Sequence, residues 1–231
     1  AAMQAVVLGK GVYQDGSTMA DHVSPDTLKA LRAYGNKGGL PPEALERMRP
    51  WLAAITIAMT EMQKLGFQPT LGIDHHFLTK AHAAKKAVVE LETAESQLEL
   101  LSGFGEELEE KFLLQTLVGL DDLDDLLTKG AAAWKAGDVK TLKEELMDKP
   151  LRDAPETKPV MVKLFDERNE KMAEKVEELL KGDEQHFVIV GAGHLVGDKG
   201  LVKLLEDRGY TVEQVRVTPG AAGAKKKPAK R

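Results

Sequence analysis

The stretch His186-Phe-Val-Ile-Val-Gly-Ala-Gly-His194 restricts the fold of this chain more than any other. Phe187 to Val190 is a short apolar run, the pattern of a buried strand. It stops at Gly191-Ala-Gly193, and His194 follows at once. A helix pattern then runs through Leu201-Val202 and Leu204-Leu205 to Gly209, and a second strand is expected from Tyr210 to Val217. A strand–loop–helix–strand unit implies an α/β fold with parallel neighbours joined by a right-handed crossover. The carboxyl edge of such a sheet is where ligands bind. Gly191 and Gly193 would let backbone or ligand approach closely there.

Three readings of that loop stay open. His194 could be a functional side chain. The glycines could form only a tight turn, with His194 as a cap. Gly191, Gly193 and Gly197 also come within one residue of a dinucleotide fingerprint, though such a fold needs more strands after it.

The 231 residues are enough for one good core with a helical annex. A net charge of −5 gives no general attraction to nucleic acid. The tail after Val217 is the exception, with Lys225 to Lys227, Lys230 and Arg231. Residues 218–231 are expected to form a disordered basic tail on a single domain spanning 1–217. Cysteine is absent, which excludes disulfides, thiolate metal sites and cysteine nucleophiles. The longest apolar stretch, Trp51 to Met59, is too short to span a bilayer. No signal peptide pattern is present. The opening residues, Ala1 to Leu8, read as the end of an element already under way, so an N-terminal β-segment is expected to lie outside this sequence.

Most of the chain reads as helix. Ser24-Pro25 is an N-cap followed by proline in the first turn, opening a helix to about Tyr34. Pro41-Pro42 opens another. Trp51 to Leu65, closed by Gly66, has so little polar face that it should be central. Lys86 to Glu92, with Val88, Val89 and Leu91, reads as a strand. A helical insertion is expected over about 94–182. Within it, Asp121-Asp-Leu-Asp-Asp125 is a solvated helix start, without EF-hand spacing. The expected fold is a small, largely parallel sheet of strands 86–92, 186–191 and 211–217, with a predominantly helical remainder.

Several polar residues stand where apolar ones belong. At 100° per residue, Leu164, Phe165, Met172, Val176 and Leu179 form one stripe on the helix after Pro159. Arg168 falls inside it and Asn169 at its edge. A buried guanidinium needs an anion or several acceptors; the alternative is an arginine that snorkels to solvent. Asp74 shares the inward face of Phe77 and Leu78, or caps their helix. Glu92 ends its strand at the edge where His194 is expected, or caps the helix that follows. His75, His76 and His82 lack chelating spacing and read as surface or packing residues.

Taken in order, these segments resemble the TraB/GumN family, which includes the Tiki-type Wnt-cleaving metalloproteases. The matching stretches are Gly16 to Pro25, Leu71-Gly-Ile-Asp-His-His-Phe-Leu78, Val89-Glu-Leu-Glu-Thr-Ala-Glu-Ser-Gln-Leu98, Glu167-Arg-Asn-Glu-Lys-Met-Ala173, Val190 to Gly200, and Leu204 to Val212. The family pattern has two G-x-x-H motifs. Gly191 to His194 is similar to the second, while the first and its acidic neighbour would lie upstream of Ala1.

The resemblance implies a metal-dependent hydrolase, peptidase-like, acting on a peptide or protein substrate, with a divalent ion such as Mn²⁺, Co²⁺ or Zn²⁺. It implies His194 as metal ligand or catalytic histidine, Arg168 and Asn169 facing it, and Glu92 and Asp74 as further site residues. A chain lacking the first motif would bind metal poorly and could be inactive. The resemblance also implies a periplasmic or envelope location. An open strand edge would favour self-association. The alternative reading is a non-catalytic envelope protein, binding or regulatory, with the acidic region 105–147 as its partner surface.

Overall fold

The fold, a computed structural model, describes residues 2–215. Helix α1 (Ala2–Gly11) ends beside an isolated antiparallel bridge between Val12 and Met48. Ser24 then caps α2 (Pro25–Asn36) as its sequence predicts, its Oγ accepting from the Thr27 N–H at 3.4 Å. Helix α3 (Pro42–Glu46) is a single turn, and α4 (Pro50–Lys64) follows with Pro50 in its first turn. Gly66 takes φ 90° just past α4, a conformation a side chain would resist. Helix α5 (Ile73–Ala83) buries none of its residues. Thr93 caps α6 (Ala94–Ser102), and α7 (Glu106–Val118) lies against α4. Met19, Leu31, Leu45, Ala53, Ala54, Ile57 and Leu113 make the core of this half. The centrality expected of the Trp51 helix is therefore found.

Helix α8 (Leu123–Ala136) carries Asp124 and Asp125 in its first turn, where carboxylates oppose the helix dipole favourably. Helix α9 (Val139–Lys143) passes into a π turn, Glu144–Asp148, and then α10 (Lys149–Asp153). The same happens downstream: α11 (Lys158–Met161), a π turn at Val162–Asp166, then α12 (Glu167–Leu180). A 3₁₀ turn, Ala192–His194, precedes α13 (Leu201–Asp207). Helices α12 and α13 bury Met172, Ala173, Leu201 and Leu204 against one another, with Leu91 and Val190 packed on the same cluster. Ala133, Leu142 and Val196 form a third small cluster.

The expected α/β fold is corrected here: the described residues contain no strand or sheet, and the molecule is predominantly helical. Residues 86–90 and 185–190 are without regular structure, as are 210–215; residues 216 and 217 of the third expected strand lie outside the described residues. The parallel pairing and crossover are therefore absent as well. The physical reason is visible at their ends. Leu91 and Val190 are held by the α12–α13 cluster, but Val89 is 62% and Phe187 71% exposed. β-structure requires a partner backbone for every strand, and these runs find none. A helix closes its hydrogen bonds within itself, so the helical predictions survive where the strand predictions fail. The basic tail, 218–231, lies outside the described residues.

Candidate functional site

Four of the singled-out polar residues meet in two coupled pairs. Arg168 and Asn169 are neighbours on α12, so their side chains leave the helix about 100° apart. Arg168 grips Glu92 with two parallel bonds, Nε to Oε1 at 2.8 Å and Nη2 to Oε2 at 2.7 Å. Its Nη1 donates to the Leu164 carbonyl at 2.9 Å. The two side chains are only 19% and 14% exposed. The arginine in the apolar stripe is thus a paired arginine, not a snorkelling one. Its carboxylate is internal, which occupies the fork that an outside anion would need. Burial alone would raise the Glu92 pKa, but the hydrogen bonds and charge of Arg168 outweigh it and hold the carboxyl below its ordinary range.

Asn169 turns to the other side. Its Nδ2 donates to the Lys199 carbonyl at 2.8 Å. That fixes the amide, and its Oδ1 is left to face His194 Nδ1 at 2.6 Å. A carbonyl oxygen only accepts, so His194 must carry its proton on Nδ1. Nε2 then presents a lone pair, with no hydrogen-bond partner among the described residues. His194 is 8% exposed, and its ring lies 5.4 Å from that of Phe165. Burial lowers its pKa below 6.5; the Arg168 charge lowers it further, and Glu92 opposes both. The imidazole is held neutral, with one basic nitrogen available.

The other candidates do not join this group. Asp74 stands exposed in the first turn of α5, behind the Gly72 cap. His75, His76 and His82 are exposed. The Gly191 carbonyl accepts from the His194 N–H at 2.9 Å. At Gly193 a Cβ would come within 2.8 Å of Phe165 and 3.5 Å of Met147, so the bare glycine lets both π turns close on the loop.

Among the described residues no group of three or more His, Asp or Glu side chains is gathered for a metal. The donor chemistry explains this. Both Glu92 oxygens are taken by Arg168, and the Asn169 carbonyl by His194. His194 Nε2 is the single donor on offer, whereas catalytic zinc sites use three protein ligands. The described residues do not by themselves fit a divalent ion.

Sequence reasoning missed what lies beside the pair. A cavity of about 210 Å³ runs from Asn169 and Phe165 to the two π turns. A π turn has no signature in composition, because its residues are ordinary helix formers. A second cavity, of about 220 Å³, sits in the helical half beside Tyr13, His22 and Arg49. Beside it Arg49 pairs with buried Glu109, and His22 lies between Ser17 (3.0 Å) and Glu106 (2.9 Å). No helix among the described residues is long and apolar enough to cross a membrane.

The model of the TraB/PrgY/gumN family matches residues 1–214. The uncharacterized protein YbaP of Escherichia coli (strain K12) is 28% identical over 197 residues, spanning 81% of this chain and 67% of that protein. YbaP of Shigella flexneri matches to the same extent. No solved structure gives a significant match. The chain belongs to the TraB/PrgY/gumN family.

Proposed function

We propose that this member of the TraB/PrgY/gumN family is a hydrolase, peptidase-like in substrate, built on His194. The observation that carries the reading is the buried neutral imidazole with its tautomer fixed by Asn169. A neutral imidazole near physiological pH is suited to taking a proton from water as that water attacks an acyl carbonyl. Asn169 orients the ring, the role an orienting third group plays for any catalytic histidine. Arg168 is a positioning residue: it keeps Glu92 ionised, and its positive charge disfavours premature protonation of His194. A divalent ion, Mn²⁺, Co²⁺ or Zn²⁺, would need its donors from outside the described residues, because one that took His194 Nε2 would remove it as the base.

Mass spectrometry of a peptide pool incubated with the protein, with and without Mn²⁺, tests the reading. Cleavage should fall at least about 100-fold in His194→Ala, the range of a lost general base. Full cleavage by that variant, with its helical content intact, removes His194 from the chemistry.

One observation favours a second reading, a binding protein without turnover located at the cell envelope. Val88, Val89, Phe187 and Val188 stand exposed in two apolar runs without regular structure. Absence of cleavage across the pool, together with retained folding, would favour that reading.

A further inference from the structure

The cavity beside the site is walled by two π turns, and that is unusual. π-helical residues make up well under 1% of globular structure, and short π segments occur frequently at functional sites. Here Glu144–Asp148 and Val162–Asp166 contribute Met147, Asp148, Phe165 and Asp166 to one space. Phe165 also touches the His194 ring, and Asn169 lines the cavity while holding His194. The same few residues therefore build the cavity and set the imidazole.

The lining is apolar at Met147, Leu151, Met161 and Phe165 and charged around them. Three of the lining charges are spent locally: Lys143 holds Asp148 at 2.7 Å, and Lys199 lies 3.7 Å from Glu170. Lys158 and Asp166 are different. Among the described residues neither side chain has a hydrogen bond or ion pair, although the Lys199 and Lys158 charges act on Asp166, and both line this cavity. The result is an apolar floor with one ammonium and two carboxylates, Asp166 and Asp198, that no ion pair holds among the described residues. At about 210 Å³ it is smaller than the ~300 Å³ where drug-sized sites begin, so its occupant is small.

We infer that this cavity binds a short apolar peptide as a zwitterion. The peptide ammonium meets Asp166, the peptide carboxylate meets Lys158, and an apolar side chain enters between Met147, Met161 and Phe165. The inference rests on the hydrolase reading for its biological sense, because such a ligand is a peptide product or the end of a peptide substrate. The binding itself does not depend on turnover.

The test is a titration with leucyl-leucine, followed by the ¹³C-methyl signals of the methionines. Met147 and Met161 should shift saturably, and should do so also in His194→Ala. Lys158→Met and Asp166→Asn, each checked for unchanged helical content, should weaken binding about tenfold, as should replacing the ligand by the uncharged N-acetyl-leucyl-leucinamide. Unmoved methyl signals overturn the inference, and so does equal affinity for the uncharged analogue. Leucyl-leucine binding without peptide cleavage in any assay would sink the hydrolase reading and leave the cavity assignment standing. Peptide cleavage without these shifts would do the reverse.

Discussion

Two regions of this molecule contain equally apolar runs and treat them in opposite ways. In the half built on α4, Ala53, Ala54 and Ile57 are fully buried between α2, α3 and α7. Around residues 86–90 and 185–190, Val88, Val89, Phe187 and Val188 are exposed, with Phe187 in edge contact with Phe77 at 4.9 Å. A helix arrives at packing with its backbone already satisfied. It needs only a neighbour's side chains. An extended run needs a second backbone first, and its apolar residues stay exposed until one is supplied. The two regions also each hold an Arg–Glu pair. Arg49 with Glu109 lies in the helical half, where the carboxylate is 1% exposed; Arg168 with Glu92 lies where α12 meets the irregular runs, and there the carboxylate is 14% exposed.

The contrast can be broken by substitution. The largest loss is expected for Arg49→Met, which strands buried Glu109: about 3–5 kcal/mol in urea unfolding. Ile57→Ala should follow at about 3 kcal/mol, the cost of a cavity in a closed core. Arg168→Met should cost about 2 kcal/mol, because water can reach part of the abandoned Glu92. If Arg168→Met proved as costly as Arg49→Met, the site would be as closed as the core, and the contrast would fail.

Acid should separate the regions further. The His194 pKa is depressed on folding, so the unfolded chain binds more protons below its ordinary 6.5. The stability this gives is complete above about pH 6.5 and is lost as pH falls through the folded value. Glu92, also depressed, adds a loss at still lower pH. Urea midpoints measured from pH 7.5 downward should fall in the native protein, and fall less between pH 6.5 and 5 in His194→Gln. Parallel curves would show that His194 titrates freely.

The smallest effect is expected for Val89→Ser, within about 0.5 kcal/mol, since a solvent-facing side chain loses no burial. A loss near that of Ile57→Ala would mean that this run is buried in solution.

Much of the helical architecture was legible because its signals are local. Ser24-Pro25 and Gly66 mark real ends, and the Trp51 helix is central. The polar site was legible through misfit: Arg168 lay in an apolar stripe, and the structure supplies its acid. Glu92 and His194 were placed on a shared sheet edge. They do reach α12 together, but from loops, since the sheet is absent. The strands could not be judged from Val88-Val89 or Phe187-Val188 alone, because a run's apolarity states its demand for burial and not whether a partner strand exists. The π turns and their cavity left no trace, since Lys143 to Lys149 and Met161 to Glu167 read as uninterrupted helix. Asp74 matched an inward pattern on a helix that buries none of its residues fully.

Asn169 holds His194 as a neutral imidazole with its proton on Nδ1. Long-range ¹H–¹⁵N correlation of the histidine rings across a pH series reads this directly. His194, identified by its absence in His194→Gln, should show a protonated Nδ1 and an unprotonated Nε2, persisting below pH 6.5. An Nε2-protonated ring, or full protonation with an ordinary midpoint near 6.5, would contradict the site as described here.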